Sequence, residues 1–503
     1  MKKLFTLLLI VTTAVAAFAT DYNVPITITV NGISSEQNAV ISVTENGGLY
    51  DINLKNFILQ AGTTTIGVGN VELKGIKPIQ DGNATLLLAK QNVKITNGDD
   101  PNVRWMGPIF DKIPVELRGK IEGDRLRCYL DIALKDLVIK VAVGNGYQIA
   151  NQSFENWHTS IDSYKEPNAW HSFETATGEL AEAAGHHIEA STDAHSGSTS
   201  ARIFATGMDF GFLKVIANGT MTTGRMNAAS PIAADATGNY AYVDMSKDDL
   251  DVNGDPFYTP LCSKPDSIAA WVKFKQGTPN AQHPYATISA AITDGTFYQD
   301  PEVKTSTNVV AKAKNNEIAT TNEKWKRISI PFEYTQNTVD PKAILVTIST
   351  NADAGQGSDK DEVLVDDIEL IYNAKVTGMK IKGQKVSDFK ADQTEYTMEL
   401  NEVITADDIE ATVEGKAAHI IKQVEQTEGG YTCTIQAIGG DMKTTTSYVV
   451  NVKSNATGID MTHQTNAVTN DENSWYTLDG RQLNGKPTAK GIYIHNNVKA
   501  VVK

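Results

Sequence analysis

The sequence is poor in cysteine, in positive charge and in long apolar runs, and each shortage removes a class of protein. Three cysteines, Cys128, Cys262 and Cys433, stand far apart in 503 residues. They are too few for a disulfide scaffold and read as small buried residues. Lys and Arg number 45 against 60 Asp and Glu, a net charge of −15. That is the wrong sign for tracking a phosphate backbone, so nucleic acid is not an expected partner. No apolar run reaches the roughly 20 residues of a membrane helix; the N-terminal one is shorter and passes directly into polar TDYN, so no transmembrane segment is expected. G-x-S-x-G, P-loop and dinucleotide fingerprints are missing too, which removes the enzyme classes they mark.

What is present is a 41% apolar complement in a length that suggests about three domains. Residues 1–19, MKKLFTLLLIVTTAVAAFA, combine Lys2 and Lys3, an apolar run and small residues at 17 and 19. This is the pattern of a secretory signal peptide, so the expected address is outside the cell or at the outer-membrane surface, with the periplasm as the other compartment. No cysteine follows to carry a lipid. From 20 to 145 the pattern has period two, as in Val24, Ile26, Ile28 and Val30, with turns such as Asn46-Gly47. About eight strand-like segments predict an up-and-down barrel. A barrel of that size is filled by side chains or holds one small ligand.

Within it, YDINLKNFIL, GVGNVELKGI and PVELRGKIEGDRLRCYLDIAL resemble the calycin-like (lipocalin-like) domains of secreted Bacteroidetes proteins. Residues 146–373 carry NQSFENW, YKEPNAWHSF, DAHSGSTSARIF, EKWKRISIPFEY and GSDKDEVLVDDIELIY in order. This series resembles the carbohydrate metabolism domain family of Bacteroidetes and, more distantly, jelly-roll carbohydrate-binding modules. The jelly roll hosts both binders and enzymes. Residues 374–453, opening KVTGMKIKGQKV and closing TTTSYVVNV, resemble cadherin-like or immunoglobulin-like sandwiches, which act as spacers or contacts. A polar linker, 454–474, leads to 475–503, which resembles the C-terminal tails of exported Bacteroidetes proteins, type IX sorting domains among them. The tail sets Arg481, Lys486, Lys490, Lys499 and Lys503 against Asp479 on an otherwise acidic chain. The expected fold class is all-β: an eight-stranded barrel, a jelly-roll sandwich, an Ig-like sandwich and a small β tail.

Sugar binders set aromatic faces against the C–H faces of pyranose rings and surround them with polar groups. In 146–373, Trp157, Trp170, Phe257 and Tyr258, with Tyr285, Phe297 and Tyr298, sit beside Gly, Pro, Asn or Asp in loop-like stretches. Trp170 is the first choice among them. Trp271 and Trp325 lie within strand patterns and read as core. In the jelly-roll modules that the sequence resembles, a Phe-Glu near the first strand and an Asp of the closing V-D-D segment help hold a structural calcium ion. The matching residues here are Glu155 and Asp366 or Asp367. The DVNGDP stretch at 251–256 imitates an EF-hand but places Pro256 where Gly is needed, and reads as a turn. Five histidines fall between 158 and 195, namely His158, His171, His186, His187 and His195, without a zinc motif beside them. Hydrolysis would need two carboxyl groups about 5 to 10 Å apart, and Glu155, Asp162, Glu166, Glu174, Asp294 and Asp300 are available. The expected function is therefore non-catalytic binding of an extracellular poly- or oligosaccharide, with cell-surface proteins as further partners. A glycoside hydrolase, an apolar-ligand carrier and a structural adhesion protein are the alternatives.

Overall fold

Alternating apolar residues become strands throughout the computed structural model, and the chain is all-β, with only short helical turns. The structure describes residues 18–454 and 475–502, except 62–63, 111, 135–136, 162–163, 210, 212–213, 336–338, 478–481, 484 and 496–497. The expected signal peptide, save Phe18 and Ala19, and the expected linker, save Ser454, lie outside the described residues.

The first sheet has nine strands instead of the eight expected. They are β1 (Phe18–Val30), β2 (Ile33–Asn46), β3 (Leu49–Ala61), β4 (Thr64–Ile76), β5 (Pro78–Asp81), β6 (Ala84–Val93), β7 (Ile113–Glu122), β8 (Arg125–Leu134) and β9 (Leu137–Val143). Each pairs with its neighbour in sequence except β4 with β5, and β1 pairs with β9. The sheet therefore curls round with its seam beside β4. A side chain bridges that seam: Gln91 of β6 donates to the Lys74 carbonyl at 2.7 Å and accepts from the Lys74 N–H at 3.2 Å, as a ladder residue would. Inside, Ile26, Ile41, Ile52, Leu73, Leu87, Val115, Leu117 and Cys128 form a buried apolar core.

Between 146 and 373 two sheets face each other. One runs Ile188–Ser191, Ser200–Phe204, Glu362–Ile371, Ser267–Lys275, Lys326–Pro331; the other runs Thr220–Thr222, Ala343–Ser349, Ala286–Thr293, Val309–Ile318, Glu333–Tyr334. Ile203, Val272, Phe274, Val363 and Val365 of the first meet Met221, Ile288, Ala290, Val346 and Ile348 of the second. Period two then sends Thr220, Thr287, Ser289, Lys314, Thr347 and Ser349 to the outer face of the second sheet. This alternation is what positions the site.

From 374 to 453 seven strands form a three-stranded and a four-stranded sheet around Val376, Ile409, Cys433, Ile435, Tyr448 and Val450. Four short strands, Trp475–Tyr476, Gln482–Leu483, Gly491–His495 and Val498–Val502, make the terminal sheet. The three cysteines are free; Cys128 and Cys433 are buried, while Cys262 is half-buried against the Gly146 carbonyl at 3.3 Å. Burial pushes the Cys128 thiol up to about 12 and that of Cys433 up to about 11, so neither is a thiolate at neutral pH.

Candidate functional site

A cavity of about 330 Å³ opens on the outer face of the second jelly-roll sheet. Its floor consists of two cross-strand rows. Lys314, Ser289 and Thr347 are direct neighbours in register, and so are Thr287, Ser349 and Thr220. Small hydroxyls at these points leave room above the sheet, where larger residues would fill it. Asp300 stands at the side and accepts a 2.5 Å bond from the Ser289 hydroxyl.

Loops make the walls. Met208, Val215 and Ile216 come from the hairpin of Thr206–Asp209 and Lys214–Ala217, Phe173 and Leu180 from the segment before Ala181–Ala184, and Pro231 and Tyr240 from either end of the 229–240 stretch. That stretch is held shut by Asn239, whose amide donates to the carbonyls of Ser230 and Ile232 at 2.9 Å each. The same side chain accepts from the Ala229 and Ser230 N–H groups. The wall therefore needs little ordering when a ligand enters. Tyr240 also touches the exposed Phe297, with ring centroids 6.4 Å apart.

The aromatic residues singled out in the sequence do not line this cavity. Trp170 is 0% exposed, which corrects its choice as a stacking surface. Ala169 takes a left-handed φ of 63° in the turn closed by the Trp170 N–H and the Pro167 carbonyl at 3.0 Å. Beyond it the indole packs on Phe154 at 5.3 Å and its Nε1 donates to the Ala150 carbonyl at 3.1 Å. Phe257 is also buried, under the Arg225 guanidinium at 4.3 Å. With the half-buried Tyr258 it lines only a water-sized hollow. Trp157 is half-buried, with Nε1 on the Phe154 carbonyl at 2.6 Å. Tyr298 is buried, while Tyr285 is exposed. Trp271 and Trp325, read as core, are instead half-buried on the outer face of the first sheet. Trp271 alternates with core residues Ala270 and Val272 and stacks on His195 at 3.8 Å.

Glu155, Asp366 and Asp367 converge on one loop. Glu155 Oε1 accepts from the N–H groups of Ser198 at 2.8 Å and Thr199 at 3.1 Å. Asp366 Oδ2 accepts those of His195 at 2.8 Å and Ser196 at 3.1 Å, and Asp367 takes the His195 ring at 2.6 Å and the Ser196 hydroxyl at 2.9 Å. Burial raises the Asp366 carboxyl to about 6. The donor type suits calcium, but among the described residues these three carboxylates do not gather closely enough to form a metal-binding group, and their contacts to 195–199 are with N–H and O–H donors. Of the six carboxylates considered for hydrolysis, Asp300 is the one that lines the cavity. Glu166 is buried on Ser172, Glu174 pairs with His186 at 3.0 Å, Asp294 caps Thr296, and Asp162 lies outside the described residues.

No family model and no curated protein matches the chain. Among solved structures it is similar to a candidate glycoside hydrolase from Bacteroides thetaiotaomicron, at 13% identity and TM-score 0.32, over 60% of this chain and 93% of that one. It is also similar to the M60 catalytic domain with two CBM51 domains of Clostridium perfringens ZmpB, at 10% identity and TM-score 0.15, over 93% of this chain and 44% of that one. A third likeness is to the tandem CBM22 domains of Paenibacillus barcinonensis Xyn10C, at 11% identity and TM-score 0.20, over 70% and 92%. At TM-scores this low the likenesses do not bear on function, which rests on the site itself.

Proposed function

We propose that this is an exported, non-catalytic glycan-binding protein that captures an oligosaccharide or the end of a polysaccharide at the cell surface. One observation supports the reading above all: a cavity of about 330 Å³ that pairs a hydroxyl-rich floor with aromatic and aliphatic walls. A sugar ring has the matching character, a rim of hydroxyls around apolar C–H faces. Ser289, Thr287, Thr347, Asp300 and Lys314 are the hydrogen-bonding set, and Tyr240 is the stacking face. Hydrolysis by the usual route needs a pair of carboxyl groups, and Asp300 is the single carboxylate among the described lining residues. The leader supplies export. A structural calcium ion between Glu155 and Asp366 or Asp367 belongs to the same reading and would tie the 195–199 loop to both ends of the module.

A glycan array with the mature chain, with and without calcium, followed by an assay for new reducing ends on every positive glycan, tests this. The expected outcome is binding without cleavage, weakened at least about tenfold, or about 1.4 kcal/mol, by Tyr240→Ala. Cleavage would make the protein a hydrolase, and a silent array would remove the glycan.

A further inference from the structure

Four buried polar atoms without a hydrogen-bond partner gather under the loop that begins at Asp251. They are His158 Nε2, both ring nitrogens of His171, and Asp251 Oδ2. Asp251 Oδ2 lies 3.4 Å from His158 Nε2 and 3.9 Å from His171 Nδ1, and the side chains of Asp251 and His171 are both 0% exposed. Ligand atoms of His158, Asp251 and Asp255 all lie within 4.8 Å of one another.

The surroundings hold the ligand atoms of His158, Asp251 and Asp255 close together. Asp251 Oδ1 accepts the N–H groups of Asn253 at 2.9 Å and Asp255 at 2.8 Å, which leaves Oδ2 facing inward. His158 Nδ1 faces Asn168 Oδ1 at 3.1 Å. An amide oxygen only accepts, so Nδ1 carries the proton and Nε2 turns a lone pair toward a carboxylate oxygen. Asp255 Oδ2 is fixed by the Ala169 N–H at 2.9 Å and the Asn253 amide at 2.8 Å. His171 is held by its main chain, bonded both ways to Thr222, and by Phe257 against its ring at 4.4 Å.

Two lone pairs facing each other in a buried space repel unless a proton or a metal cation lies between them. The separations are too long for an N–H···O bond of about 2.7–3.2 Å. Around an ion with bonds of about 2.0–2.1 Å, tetrahedral ligands sit about 3.4 Å apart. One separation matches that edge and the other exceeds it by half an ångström. We propose that His158, Asp251 and Asp255 bind one divalent ion of the zinc class, with His171 flanking the site. Imidazole ligands disfavour calcium and magnesium, which take oxygen, and the lack of a thiolate disfavours copper(I). Asn168 is the outer partner that orients His158. The ion would fasten the Trp157–Thr159 strand to the 251–257 loop.

The test uses the full mature chain, stripped with a chelator and titrated with zinc, with metal content read after gel filtration and melting temperature read in parallel. One retained zinc per chain and a rise in melting temperature are expected, neither reproduced by calcium. Cobalt(II) in the same site should give the visible absorption of a tetrahedral N/O complex. His158→Gln and Asp251→Asn should abolish retention, and Asn168→Ala should weaken binding about 10–100-fold. If Asp251→Asn does not fold, His158→Gln and Asn168→Ala still decide the matter. A wild-type chain that retains no zinc would overturn the proposal, as would equal retention by His158→Gln.

Discussion

A tryptophan can serve a sugar or a core, and its surroundings decide which. Trp170 lies against Phe154 with its Nε1 already bonded to a main-chain carbonyl, so its removal should act on stability. Trp170→Ala is expected to cost about 3–5 kcal/mol in urea unfolding. The milder Trp170→Phe, which keeps most of the apolar volume, should retain glycan binding. Loss of binding by a stably folded Trp170→Phe would contradict the core role. The sequence offered Pro167 and Asn168 as loop signals, and these are real. The left-handed Ala169 that swings the next side chain inward is a backbone event with no marker in residue type. Asp251 was similarly hidden, because an EF-hand template judges the loop by its own ligands and says nothing of His158 and His171 across from it.

Strands were legible because their period is simple. The alternation that buries Ile288 and Ala290 is the same alternation that turns Thr287 and Ser289 outward, so the cavity floor was present in the pattern as small hydroxyls opposite a core face. Trp271 could also have been placed, since it falls out of phase with Ala270 and Val272. The strand count was harder. Closure beside β4 runs through Gln91, a side-chain amide imitating a ladder, and through main-chain bonds between Asn70 and Thr96, and no periodicity reports that. Gln91→Leu should remove two hydrogen bonds at roughly 1 kcal/mol each at most, because water can replace them at an exposed seam. Hydrogen exchange should show faster exchange at the Lys74 amide than in the wild type, while β1 to β3 stay protected. Unchanged exchange at Lys74 would mean that the seam is held by other contacts.

At the scale of the whole molecule the units are not beads on a string. Arg118 Nε donates to the Met442 carbonyl at 2.9 Å and Arg127 Nε to that of Asp441 at 3.0 Å. Leu86 and Tyr129 of the first sheet share a buried cluster with Ile421, Ile438 and Met442. The 374–453 unit, expected as a spacer or contact, thus packs along the flank of the first sheet, and Arg127 also lies over Tyr147 at 4.5 Å. Such pairings join residues more than 300 positions apart, beyond the reach of local patterns. His419, 2.7 Å from Asp81, gives this interface a pH dependence. Burial is the leading cause that lowers its pKa below the usual 6.5. The unfolded chain therefore takes up a proton that the folded chain resists, and stability falls as pH drops below about 6.5. Melting temperature between pH 7.5 and 5.5 should fall more for the wild type than for His419→Gln; equal falls would remove His419 as the cause.

Whether the cavity above Ser289 and Thr347 receives a sugar is decided by a crystal structure with an array-positive oligosaccharide bound. A sugar ring is expected within the cavity, its hydroxyls on Ser289, Asp300 or Lys314 and one face against Tyr240. A ring found instead on Trp271 and Trp325 of the opposite sheet, with the cavity free of sugar, would contradict it.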